Sequence, residues 1–364
     1  MVDPEERFEN GQDLQQLVDK LLEESKARGY LVEKAYELGP GRTVDVSTEV
    51  GSQLASELQR LGMDPFRASR DHQRSCPRRL SEEWGSAFEM FELVLLCADQ
   101  LHVDFHTRCA PAPGEATWKF DAFSQLQARA CAIGREIHDN LDLGYVQVAA
   151  ARWRTLHELA VEARLLQMND EAVAERYLSH ETIAECKAVK AYEKNCTSLG
   201  LKPLPPDVVR KLDAEYKALR ERFGKDFTGD YGWAADTVEG RPTFVDLEKA
   251  VGLAHLRYWY DFMCKVTHGG ARGLSLASLE SRARASSAAL ALVETGLPFV
   301  AHGSLVSLFQ ISTAVASLRP NVLPMSVLVQ AMARLLDDAA VAFASINDEW
   351  FKEGQTGRNR AEAP

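Results

Sequence analysis

The chain has 364 residues, 46% of them hydrophobic and 26% charged, with 23 Gly, 14 Pro and 7 Cys. That composition excludes a collagen-like, largely disordered or disulfide-framework protein, and the length allows one large domain or a large one with a small companion. A net charge of −11, from 53 acidic against 42 basic residues, argues against long-range steering of nucleic acid by the whole molecule, although a local basic patch could still bind it.

Helical periodicity dominates, and alternating runs bounded by turns are nearly absent, so the expected fold is all-α: a bundle of long antiparallel helices with a small N-terminal helical segment. The start, MVDPEERFENGQDL, lacks the basic end and apolar core of a signal peptide, and the seven scattered cysteines contain no CxxC pair. A cytoplasmic location with free thiols is the expectation. In Asp13–Arg28, Leu14, Leu17, Val18, Leu21 and Leu22 share one face, and a second short helix is expected over about 48–61. This gives an N-terminal segment 1–62, followed by a linker over 63–80. There the pattern stops, and five arginines (67, 70, 74, 78, 79) accompany Pro65 and Pro77.

The main helical domain is expected over 81–352, with helices at about 81–108, 118–142, 145–168, 171–197, 206–223, 243–268, 274–295, 298–318 and 324–352. The proline-rich GLKPLPPD and the long stretch 226–242 read as loops, and 353–364 as a disordered tail. The most apolar stretch, 297–318, carries His302, Gly303, Gln310 and several Ser and Thr, and reads as a buried helix rather than a membrane span. No membrane partner is expected.

Helix 145–168 has two apolar stripes, which marks a central helix. Arg154 and Glu158 form an i, i+4 pair at the edge of one stripe. They read either as an ion pair locking helix register or as an arginine aimed at a phosphate or carboxylate and oriented by Glu158. His157 falls on the third, more polar face with Trp153, Arg164 and Gln167, and reads as solvated. In the next helix His180 shares an apolar face with Tyr177, and either could meet the Arg154–Glu158 pair.

The element Arg154-Thr-Leu-x-Glu158, preceded by the Gly144 turn and followed by Tyr177, the Gly232-Trp233 loop and a helix running from Tyr258 to His268, resembles an uncharacterised bacterial helical family, domain of unknown function 5677. The resemblance covers about residues 118–275 and implies an all-helical fold with no established activity.

In the helix ending at His268, Tyr258, Asp261, Lys265 and His268 form one polar column, and Gly269 and Gly270 follow it. A histidine in a last helical turn beside acidic and basic groups suits acid–base chemistry, and backbone N–H groups of the glycines suit an anion. The same groups have a plain structural use as a helix stop.

Other patterns are weak. Arg-x4-His of the kind carried by helical ribonucleases appears at Arg152–His157 and Arg67–His72, no more often than chance gives. Glu92, Asp99, His102 and His106 align on one helix, but the second half of a carboxylate-bridged metal site is missing. No metal and no cofactor are expected, and no Walker loop, HExxH, nucleophile elbow or dinucleotide glycine pattern is present.

Two functions fit. The first is a non-catalytic interaction or scaffold module, whose last helices, rich in small residues, pair with a second copy or another protein. The second is a metal-independent effector acting on RNA or a nucleotide. In it Arg154 and Glu158 would hold and orient phosphate, His268 and Tyr258 would move protons, and Tyr177, His180, Lys265, Gly269 and Gly270 would contact the substrate.

Overall fold

The computed structural model describes residues 67–112, 114–115, 117–238, 241–267 and 287–361, together with 19–20, 23, 52–56 and 59–60. The chain divides into two units, Met1–Arg79 and Leu80–Pro364. In the first, the described residues within 1–62 are helical. The all-α expectation holds: the described residues form ten α-helices and a few 3-10 turns, with no strand among them.

These are α1 (Arg67–Cys109), α2 (Trp118–Asp142), α3 (Val146–Met168), α4 (Glu171–Ser179), α5 (Glu181–Asn195), α6 (Pro206–Phe223), α7 (Phe244–Ala250), α8 (Arg257–Thr267), α9 (Ser287–Ala316) and α10 (Leu323–Ala361). Residues 67–80, expected as a linker, lie within α1, and the last helix runs beyond the expected end at 352.

Helix α3 is the axis of the second unit. It packs against α2 and α9, while α8 and α7 lie against another part of its surface. Alanines at 149, 150, 160 and 163 let these neighbours approach closely, and Leu156, Val161, Leu165 and Leu166 fill the gaps. At Gly303 of α9 a Cβ would stand 3.0 Å from Nε1 of Trp153, so the glycine allows the α9 backbone to rest on the indole of α3. Gln127 of α2 is wholly buried, and its amide donates to the Ala98 carbonyl of α1 and to Ser312 of α9, each at 3.0 Å. One buried amide thus joins three helices, with its hydrogen-bonding capacity used rather than stranded. Trp84 and Phe88 of α1 meet Phe343 of α10.

Among the described residues one helix, over Gly296–Ala316, is long and apolar enough to cross a membrane by length and composition; most of it is buried among its neighbours. Pro298 lies inside α9, so the break expected before residue 298 is absent.

Two expected helices are divided. The segment 171–197 turns at His180 into α4 and α5. The segment 243–268 becomes α7, a 3-10 turn at Ala254–Leu256 and α8, and Gly252 takes a left-handed φ of +76° between them. That turn redirects the chain so that α7 and α8 both face α3. The helix expected over 274–295 lies outside the described residues up to 286.

Candidate functional site

The polar groups of α3 sort into two sets. The outer set runs along successive turns through Arg154, Glu158 and Glu162, a spacing that puts all three on one helical face. Across from them stands Tyr260 of α8, and its hydroxyl donates to Oε1 of Glu158. Arg154 lies 4.0 Å from the same oxygen, donates from Nη2 to the Tyr260 hydroxyl at 3.4 Å, and places its guanidinium 5.1 Å from the centre of the Tyr260 ring. The arginine, the tyrosine and the carboxylate therefore close on one another.

One turn further, Glu162 accepts a hydrogen bond from the Tyr177 hydroxyl of α4 at 2.8 Å. Burial, with the nearby Glu158 charge adding to it, pushes the Glu162 carboxyl up to about 7; the Tyr177 bond pulls the other way. Burial and the same two glutamates push the Tyr231 phenol up to about 12, and burial raises Tyr177 and Tyr260 above the ordinary phenol range. Glu158 and Glu162 are thus two carboxyls on adjacent turns, each bonded by a different tyrosine.

The inner set centres on a fully buried pair. Nε2 of His157 lies 2.9 Å from Oε1 of Glu248 in α7, and neither side chain is exposed to solvent. Arg257 of α8 pairs with the other oxygen of Glu248, and its guanidinium lies 5.2 Å from the Phe244 ring centre and 4.9 Å from that of Tyr260. The His157 ring stacks on Trp153 and meets Phe244 edge-on. The expectation of a solvated His157 is therefore wrong. On the face it shares with Trp153, α7 and α8 cover His157 while α9 rests on the Trp153 indole, and the carboxylate that satisfies the histidine lies 91 residues away, out of reach of any local pattern.

Arg176 of α4 anchors the Gly232-Trp233 loop. It donates to the carbonyls of Trp233 and Gly232, each at 3.0 Å, and pairs with Asp236 at 2.9 Å. A Cβ on Gly232 would fall 2.2 Å from the Phe227 carbonyl oxygen, so only glycine fits there. His180 is half-buried, with Nε2 2.8 Å from the Gly229 carbonyl oxygen; burial first of all holds its imidazole below the usual range.

Several expected site residues stand elsewhere. Tyr258 is 70% exposed and rests against Trp259, so the tyrosine that meets Arg154 and Glu158 is Tyr260. Two residues of helix are a rotation of about 200°, which takes Tyr258 off that face. Lys265 is exposed. His180 engages the 225–236 loop rather than the Arg154–Glu158 pair, while Tyr177 reaches Glu162 instead. His268, Gly269 and Gly270 lie outside the described residues.

Sequence spacing missed Glu162, Tyr231, Glu248, Arg257 and Tyr260. Glu162 alone carried a local signal, being four residues after Glu158. Among the described residues no three His, Cys, Asp or Glu side chains are gathered as metal ligands. His102 and His106 do meet edge-on at 4.6 Å, but the Asp99 carboxylate is engaged by Arg135.

Comparison with known proteins places this region in context. The model of a family of unknown function (DUF5677) matches residues 120–283, from within the first turn of α2 through α8, and agrees with the resemblance read from the Arg154–Glu158 element, Tyr177 and the Gly232-Trp233 loop. Searches against curated proteins and against solved structures give no match.

Proposed function

We propose that the protein is a cytosolic, non-catalytic helical interaction module, with a second copy of the chain among its partners. The observation that carries this reading is the closure of Arg154 and Glu158 on Tyr260. A guanidinium set against a tyrosine ring, beside a carboxylate already bonded by that tyrosine, ties α3 to α8; an arginine poised for phosphate would hold its donors toward an opening. The inner set has the same character, since its charges are consumed by one another.

A second reading, a metal-independent effector acting on RNA or a nucleotide, is favoured by Glu162. A half-buried carboxyl that titrates near neutrality suits general acid–base work, and perturbed groups gather at functional sites. In that reading Glu162 would move the proton and Arg154 would stabilise phosphate charge.

Wild type, Arg154→Ala and Glu162→Gln, produced in a bacterial host at matched soluble levels, separate the two. For an interaction module, RNA stays intact in all three, Arg154→Ala lowers the melting temperature, and sedimentation of the purified chain reports self-association. RNA breakage by wild type that disappears in Glu162→Gln, with the melting temperature kept, would overturn that reading in favour of the effector.

A further inference from the structure

Helices α5 and α6 pack on each other and meet the rest of the fold chiefly through α4 and the turn at Lys225–Thr228. Their connection is an ordered bend. Thr197–Leu199 form a 3-10 turn, and Gly200 follows with a left-handed φ of +70°. The Leu201 N–H donates to the Cys196 carbonyl at 2.9 Å, the Tyr192 hydroxyl to the Lys202 carbonyl at 2.8 Å, and the Leu204 N–H to the Glu193 carboxylate at 2.8 Å. Cys196 is buried beneath the bend, and prolines at 203, 205 and 206 restrict what remains.

This braced bend carries apolar side chains into solvent: Leu199 is 68% exposed, Leu201 50% and Val208 47%. A single exposed leucine needs no explanation, but three apolar residues around one held turn form a patch. The charge around it runs against the rest of the molecule. From Lys190 to Lys211 there are five cations, Lys190, Lys194, Lys202, Arg210 and Lys211, against Glu193 and Asp207, in a chain of net charge −11. Glu193 is moreover occupied by the backbone of the bend. Lys194 closes the last turn of α5, Lys202 lies in the bend, Arg210 lies near the start of α6, and all three are exposed.

Apolar side chains at an apex with cations on both flanking helices match an anionic lipid surface, where leucines enter the acyl boundary and ammonium and guanidinium groups stay among the phosphates. An acidic protein would have to offer a concave apolar pocket as well as charge. We propose that the α5–α6 bend is a peripheral docking tip for anionic membrane surface, with Leu199 and Leu201 inserting and Lys194, Lys202 and Arg210 holding headgroups. This departs from the expectation of no membrane partner, which rested on the lack of a spanning segment. It holds whether the α3 polar groups are structural or catalytic.

The test is co-sedimentation of the purified full-length chain with vesicles of phosphatidylcholine containing about a third phosphatidylserine. Wild type is expected to bind reversibly, about tenfold or more tightly than to pure phosphatidylcholine, and to lose that advantage as salt rises to about 0.5 M. Leu199→Ser/Leu201→Ser and Lys194→Glu/Lys202→Glu should each weaken binding about tenfold or more while leaving the melting temperature in place, since the altered side chains are exposed. Wild type that stays in the supernatant overturns the proposal, as does binding that both double variants retain. The first of these outcomes would redirect the search to an acidic protein partner.

Discussion

Helix α3 holds two polar sets built from similar parts, and they differ in burial. In the outer set Arg154 and Glu158 are half-buried at the rim and close on the buried Tyr260, and Glu162 and Tyr177 continue the row. In the inner set a single carboxylate, Glu248, with no solvent exposure, serves both His157 and Arg257. Water and local rearrangement can replace a lost partner at the rim. Inside they cannot, so equivalent deletions should differ severalfold in cost.

The largest effect belongs to the inner set. Glu248→Ala leaves His157 and Arg257 without their shared acceptor and should cost about 3–5 kcal/mol in urea unfolding, while Glu248→Gln, which keeps one acceptor oxygen, should cost less. Arg154→Ala in the outer set should cost about 1–2 kcal/mol, because Glu158 keeps its bond from Tyr260 and some access to water. Equal losses in the two alanine variants would break the comparison.

A third measurement sharpens it through pH. The Glu162 carboxyl is raised in the folded chain from 4.5 to about 7, so the folded state holds a proton there that the unfolded state has released. Its contribution is fully present below about 4.5 and is lost as pH rises through about 7, a decline of roughly 1–3 kcal/mol. The difference in unfolding free energy between Glu162→Gln and wild type, followed from pH 4 to 8, should therefore move in favour of the variant as pH rises. A flat difference would mean that Glu162 is ordinarily solvated. The smallest effect is at Tyr258: Tyr258→Ala should stay within about 0.5 kcal/mol, whereas Tyr260→Phe, which removes the hydroxyl joining Arg154 to Glu158, should cost about 1 kcal/mol or more.

The same contrast explains how much was legible in the sequence. Helix spans such as 118–142 and 206–223 follow directly from apolar period and from proline and glycine punctuation. The Arg154–Glu158 pair is four residues apart, and spacing alone brings it together. The partners that decide its meaning are not local: Tyr260 reaches Glu158 across 102 residues, and Glu248 reaches His157 across 91. A helical wheel reports which side chains share a face; which helix covers that face depends on turns such as the one at Gly252, whose angle no periodicity encodes. For that reason Trp153 and His157, placed on a polar face by their neighbours Arg164 and Gln167, are among the most enclosed side chains of α3.

The contacts at the foot of the α5–α6 hairpin bear on how freely that part can be exchanged. His180, just before its first residue, touches the Gly229 carbonyl, and Arg176 grips the carbonyls of Gly232 and Trp233, so the chain leaves and re-enters the body through a closed neck. An excursion of some fifty residues is thus held at both ends by a few side chains and backbone carbonyls. A change of length or sequence at its tip should therefore leave the packing around α3 in place as long as Arg176, His180 and Gly232 are kept.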